Sequence, residues 1–224
     1  MAARNIQQLF DLVDYIVRKQ RGVFITGTEF DEVLDAAQLE AYAYYWSGYG
    51  IDQTIHDALQ PFKVLRNPYT STSSGLVSFP SDYLHLLAGV SAIYGSTITP
   101  VTFLNPDQVP DAITNQLRPV VLANPVAEDY SFKNPDGTIT LGFQMYPMST
   151  QIGYYSYMRR PAQPHYGYTQ VNRVITYDPT TSVQLEFTDI YVNNIISRSL
   201  KYFSINMSEQ EIEVFAQTQQ QETK

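Results

Sequence analysis

The chain has no cysteine. A disulfide framework and a thiolate metal site are both closed to it, which fits a protein made inside a cell. Histidine is scarce. His56, His85 and His165 stand in separate contexts, without the His-x-x-x-His spacing of a metal-binding helix. Each reads as a packing or surface residue ahead of a ligand or catalytic base. Positive charge is also short. Lys and Arg number 14 against 22 Asp and Glu, for a formal net charge of -8. Such a surface does not hold phosphate backbones by counterion release, but it can line a passage through which nucleic acid slides, because like charges repel. No run approaches the roughly 20 apolar residues of a transmembrane helix. The first twenty residues carry Arg4, Asp11 and Asp14 within their apolar pattern, so they do not read as the core of a secretory signal.

Missing, too, are the common catalytic signatures. There is no Gly-x-Ser-x-Gly elbow, no phosphate loop and no dinucleotide fingerprint. Glu128 and Asp129 are adjacent and expected on a loop, which keeps a glycosidase as one class of function. Neighbouring carboxylates on a solvated loop are more often surface charge alone. Asp82 follows Pro80-Ser81 and is expected to hydrogen-bond its own backbone and fix a turn, with cation binding as the alternative.

What remains is a globular composition: 224 residues, 44% hydrophobic and 16% charged. Tyrosine alone counts 18. It is an amphipathic residue favoured at interfaces, though a Tyr-rich β core with wet edges explains it equally well.

Along the chain, two kinds of pattern alternate. Ile6, Leu9, Phe10, Val13, Ile16 and Val17 recur at helical spacing, with Asn5 as N-cap and Gly22 as stop. A second helix is expected over Glu29 to Trp46, capped by Thr28, and a third over Gln53 to Leu59. The Ser/Thr-rich stretch Asn67 to Ser74 reads as a loop. Short strands are expected next, at Leu76 to Phe79 and on either side of a Gly95-Ser96 hairpin turn. Prolines break Asn105 to Tyr130 into loop with one helical turn near Asp107 to Asn115. Asn134-Pro135-Asp136-Gly137 is a strong turn signal before a strand Thr138 to Tyr146, expected to pair antiparallel with Gln151 to Met158. Helical spacing returns at Val192, Ile195, Ile196, Leu200 and Phe203, with Asp189 as cap, and again after Ser208. The expectation is an α+β fold: a helical frame from residues 1–66 and 188–224, with a β-rich antiparallel module inserted over 67–187.

The candidate interface residues are Tyr83, Tyr154, Tyr155, Tyr157, Arg159 and Arg160. Strand alternation puts Tyr155 and Tyr157 on one face and Tyr154 on the other. One face enters the core; the other is open as an interface or a sugar-stacking platform, and the sequence does not choose. Arg159-Arg160-Pro161 is the sharpest basic spot, suited to bidentate pairing with an acidic partner, with a solvated strand end as the alternative.

Several segments of the chain form an ordered set. They are Thr28-Glu29-Phe30-Asp31-Glu32 through Ala37-Gln38-Leu39-Glu40, then Leu59-Gln60-Pro61-Phe62 ahead of the Ser/Thr loop, then Phe79-Pro80-Ser81-Asp82-Tyr83. Met145-Tyr146-Pro147, Tyr157-Met158-Arg159-Arg160-Pro161 and a closing helical pair complete the set. In this order the segments resemble the neck or ring proteins of tailed double-stranded DNA phages, especially crAss-like phages of gut Bacteroidetes. More broadly, the chain is similar to head–tail adaptors and tail tubular proteins of short-tailed phages, where a Pro-x-Asp-Tyr/Phe segment and a strand ending at Pro recur between helices. The resemblance covers most of the chain and brings no catalytic motif and no cofactor. It implies a twelve-fold homo-oligomeric ring stacked below the portal protein and other neck or tail rings. The genome would pass through it without specific binding, and the subunit would assemble in the host cytoplasm. The alternative within the same virion is a tail or fibre component that binds host glycans through the aromatic β module.

Overall fold

Three helices open the chain: α1 (Ile6–Arg21), α2 (Gly27–Ser47) and α3 (Gln53–Leu59). Five strands follow: β1 (Lys63–Thr70), β2 (Leu76–Ser78), β3 (Tyr83–Tyr94), β4 (Thr97–Pro100) and β5 (Thr102–Phe103). After a short helix α4 (Val109–Thr114) come β6 (Val126–Lys133), β7 (Ile139–Tyr146) and β8 (Ile152–Arg159). A hairpin of β9 (Tyr168–Val171) and β10 (Val174–Tyr177) precedes α5 (Asp189–Tyr202) and α6 (Glu209–Glu222). The structure, a computed structural model, describes residues 5–50, 52–171 and 174–222. The fold is α+β, and the chain divides into two units. Residues up to Pro61 and from Pro161 onward build one; Phe62–Arg160 builds the other.

The helical unit follows from local signals. Asn5 caps α1 by accepting from the Gln8 N–H at 2.9 Å, while the Gln8 side chain takes the Asn5 N–H at 3.1 Å. Gly22 ends the helix in the left-handed conformation, at φ 71°. Helix α2 starts earlier than the sequence suggests. Its cap is Thr26, not Thr28, because Thr26 lies three residues before Glu29 and the two satisfy each other's N–H groups reciprocally. The cap of α5 is likewise Thr188, one residue before Asp189. Helix α5 packs on α2 and α6, and α1 packs on both C-terminal helices. Leu9, Leu12, Ile16, Phe30, Leu34 and Ile195 fill the space between them, all fully buried.

The segment from Pro161 to Phe187 belongs to this helical unit, whereas the sequence places it in the β module. Its attachments are specific. The buried Asp31 carboxylate on α2 accepts the Tyr166 N–H at 2.7 Å and meets His165 Nδ1 at 2.6 Å. The Gln38 amide donates to the Ala162 carbonyl at 2.9 Å, and the Tyr166 ring stacks on Phe10 at 4.2 Å. We expect Asp31→Ala to cost about 2 kcal/mol, since it orphans a buried N–H, and Asp31→Asn to cost less because one acceptor survives. Urea denaturation read by the fluorescence of Trp46, the single tryptophan, which lies on α2, measures both.

The inserted unit is two four-stranded sheets, in the orders β1-β8-β3-β4 and β2-β7-β6-β5. Pairing is antiparallel except between β5 and β6. Tyr69, Val77, Val90, Phe143, Met145 and Tyr155 form the middle of its core. The Gly95-Ser96 turn joins β3 and β4 as expected, with Tyr94 opposite Thr97. Strand β1 takes in the first half of the stretch expected as a loop, Asn67 to Thr70. It is an edge strand, the position where Pro68 is tolerated.

Strands β7 and β8 do not pair with each other; they lie in different sheets. A strand has two edges, and both edges of β7 are taken. The Asn134 to Gly137 turn delivers β6 to one edge, with Asn134 N–H donating to the Thr138 carbonyl at 2.7 Å, and β2 fills the other. The link after β7 is pinned to the end of β1 instead. The Gln151 N–H donates to Ser71 Oγ at 2.8 Å, and Ser71 Oγ donates to the Ser149 carbonyl at 2.9 Å. β8 is thereby handed to the opposite sheet.

The insert also closes on itself. Its entering strand β1 and leaving strand β8 are paired side by side, with Lys63 opposite Met158 and Val64 opposite Tyr157. Chain entry and exit therefore lie a few ångströms apart, as in inserted domains generally.

Candidate functional site

The β8 tyrosines divide as the alternation requires. Tyr155 and Tyr157 are 3% and 5% exposed and belong to the sandwich core. Their hydroxyls are used internally. Tyr155 accepts from the Asn67 amide at 2.8 Å, and Tyr157 donates to the Asp82 carboxylate at 3.2 Å. Burial, and then the Asp82 charge, push the Tyr157 hydroxyl up to about 12. Neither side chain is placed to face another molecule. Tyr154 lies on the opposite face, half-buried, between Pro68 on β1 and Ser91 on β3.

Asp82 serves the fold. It takes the Tyr157 hydroxyl, its carbonyl accepts the Arg160 N–H at 2.6 Å, and the turn itself is closed by Tyr83 N–H donating to the Pro80 carbonyl. Arg159 is half-buried with its guanidinium 5.7 Å from the Phe62 ring centroid, a cation–π distance. Arg160 is exposed. Of the six expected interface residues, Tyr83, Tyr154, Arg159 and Arg160 keep accessible surface.

Glu128 and Asp129 sit on strand β6, not on a loop, and strand alternation points them to opposite faces. Glu128 accepts the Tyr146 hydroxyl at 2.6 Å; burial and this bond push that hydroxyl up to about 12. Asp129 pairs in register with the fully buried Phe143 and so faces the inner side of the sheet. The two carboxylates do not converge on one space, which removes the geometry a glycosidase pair requires.

Asp129 instead borders a cavity of about 280 Å³ within the inserted unit. The Phe79 and Tyr83 rings wall it, stacked on each other at 3.9 Å and 5°. Asp129, Tyr130, Ser131, Leu141 and Gly142 of β6 and β7 complete its lining. Burial, and then the negative charge of Asp129, hold the Tyr83 hydroxyl above its usual value. Gly142 is required here for sheet contact: a Cβ would land on the Val77 carbonyl of β2. Of this lining, the sequence marked Tyr83 as a candidate interface residue and Asp129 as one of two adjacent carboxylates; it did not single out Leu141 or Ser131. The signal for the cavity is Asp129 at an inward position of β6, and it appears only once β6 and β7 are known to pair.

The three histidines are dispersed. His165 meets Asp31, the His56 ring packs 4.2 Å from Tyr49, and His85 is half-buried on β3 with its pKa lowered by burial. Among the described residues no group of three or more His, Asp or Glu side chains is arranged to hold a metal ion. No helix among the described residues is long and apolar enough to cross a membrane. No protein-family model matches the chain, and no curated protein matches its sequence significantly.

Proposed function

We propose that this chain is a virion structural protein: a subunit of a closed ring in the head–tail connector of a tailed double-stranded DNA phage, stacked below the portal and lining the channel for genome exit. The observation that carries the reading is the inserted sandwich, a closed module that enters and leaves the helical unit through the paired strands β1 and β8. A subunit in a stack of rings needs two separate contact systems. One is a heterologous patch that meets the next subunit and closes the rotation; the other reaches an adjacent ring. In this proposal the helical unit makes the ring wall and the sandwich reaches the neighbouring ring. The acidic balance of -8 agrees with a channel that does not bind DNA.

Immunogold electron microscopy of intact virions, with antibody against this chain, tests the proposal. Label at the head–tail junction is expected. Label at fibre tips would instead make it a host-binding tail component. No label, together with absence of the chain from purified particles by mass spectrometry, would end the structural reading.

Arg160 is the exposed cation where the sandwich ends. Arg160→Glu is expected to weaken docking to the neighbouring ring, measured as reduced incorporation into particles with the fold intact by circular dichroism. The double change with Arg159→Glu should weaken it further, although Arg159 also packs on Phe62. Normal incorporation of both variants would remove this strand end from the interface.

A further inference from the structure

The cavity beside Asp129 presents two features that belong together chemically. One wall is aromatic, with Phe79 and Tyr83 stacked. The other is the Asp129 carboxylate, on the inward side of β6 at an exposed position. Among the described residues no hydrogen bond or ion pair engages the Asp129 carboxylate. At about 280 Å³ the space lies just under the roughly 300–1,000 Å³ of small-molecule sites, enough for the end of one long side chain.

We infer that this mouth of the sandwich is a socket for an arginine side chain presented by a partner protein. A guanidinium lies flat on an aromatic face and pairs with a carboxylate at its edge; the lining holds both kinds of group. The chain's charge of -8 favours an approaching cation over a neutral ligand. Ser131, next on the same face of β6, is placed to accept a further N–H. Lysine fits less well, because a compact ammonium does not use the planar ring surface. The socket does not depend on where the protein sits in a virion.

The test is a nuclear magnetic resonance titration of the whole ¹⁵N-labelled chain with N-acetyl-arginine amide. Its neutral isostere, N-acetyl-citrulline amide, and methyl β-glucoside are titrated in parallel. Arginine is expected to move the amides of Asp129 to Ser131 and of Leu141 and Gly142 saturably, and to bind about tenfold more tightly than citrulline, the size expected for one charge-assisted hydrogen bond. Asp129→Asn, at an exposed position, should remove that preference. Equal binding of citrulline, stronger binding of the glucoside, unchanged arginine affinity in Asp129→Asn, or no shift at all would each overturn the inference. The wild-type comparison of arginine with citrulline stands even if the variant folds poorly.

Discussion

Truncating Phe143 to alanine is expected to cost about 4 kcal/mol, the size seen when a large buried aromatic leaves a cavity that its surroundings cannot close. Phe143 is fully buried on β7, which is held between β2 and β6. Its ring meets Tyr69 edge-on at 5.4 Å, Phe103 at 5.8 Å and Tyr155 at 6.1 Å. The sandwich core is therefore organised around one ring, and edge-to-face pairs add to its area term. Urea denaturation followed by tyrosine circular dichroism in the near ultraviolet should show the midpoint fall. A loss below about 1 kcal/mol would mean that the neighbouring aromatics collapse into the space. A milder variant, Phe143→Leu, should fall between the two because it restores part of the volume.

Adding a single methyl group at Gly153 is expected to be nearly as damaging, at about 3 kcal/mol. Gly153 lies on β8 opposite Ala92 of β3 and Tyr69 of β1. A Cβ there would land on the Ser91 carbonyl oxygen and sit 2.7 Å from the Tyr69 hydroxyl. The Tyr69 hydroxyl also donates to that same carbonyl at 3.2 Å, so the methyl group would displace a hydrogen bond as well as strain a sheet. Backbone atoms in a paired strand cannot yield as a side-chain tip can. Gly89→Ala, on neighbouring β3, is the control: nothing lies within 4 Å of its added Cβ, and its stability should stay near that of the parent. If both variants unfold at the same urea concentration, the close approach at Gly153 is not a constraint on the fold.

Most of the local structure was legible because it is chemically local. The Asn5 and Ser208 caps, the Gly22 stop, the Gly95-Ser96 turn and the Asn134 to Gly137 turn each depend on residues within four positions. The α1 stripe was legible too, since a 3.6-residue period declares which face will be buried. Thr26 was missed in favour of Thr28 because both are good caps, and only the reciprocal bond with Glu29 decides between them.

The candidate site was legible only in part, for a different reason. Alternation assigned Tyr155 and Tyr157 to one face and Tyr154 to the other, but it cannot tell which face meets a second sheet. That choice depends on partners distant in sequence. Glu128 and Asp129 were adjacent charges on paper, and became one hydrogen-bonded carboxylate and one lining a cavity once β6 proved to be a strand.

By itself, the amino-acid sequence determined the α+β class, the two helical ends and the insertion of a β module between them, because periodicity and turn residues act over short range. Strand partnership was settled only in three dimensions. β7 and β8 are neighbours along the chain, yet hydrogen-bonding edges are a finite resource that β2 and β6 had already filled. The assignment of Pro161 to Phe187 to the helical unit was settled there as well, through the hold of Asp31 and Gln38 on residues more than a hundred positions away.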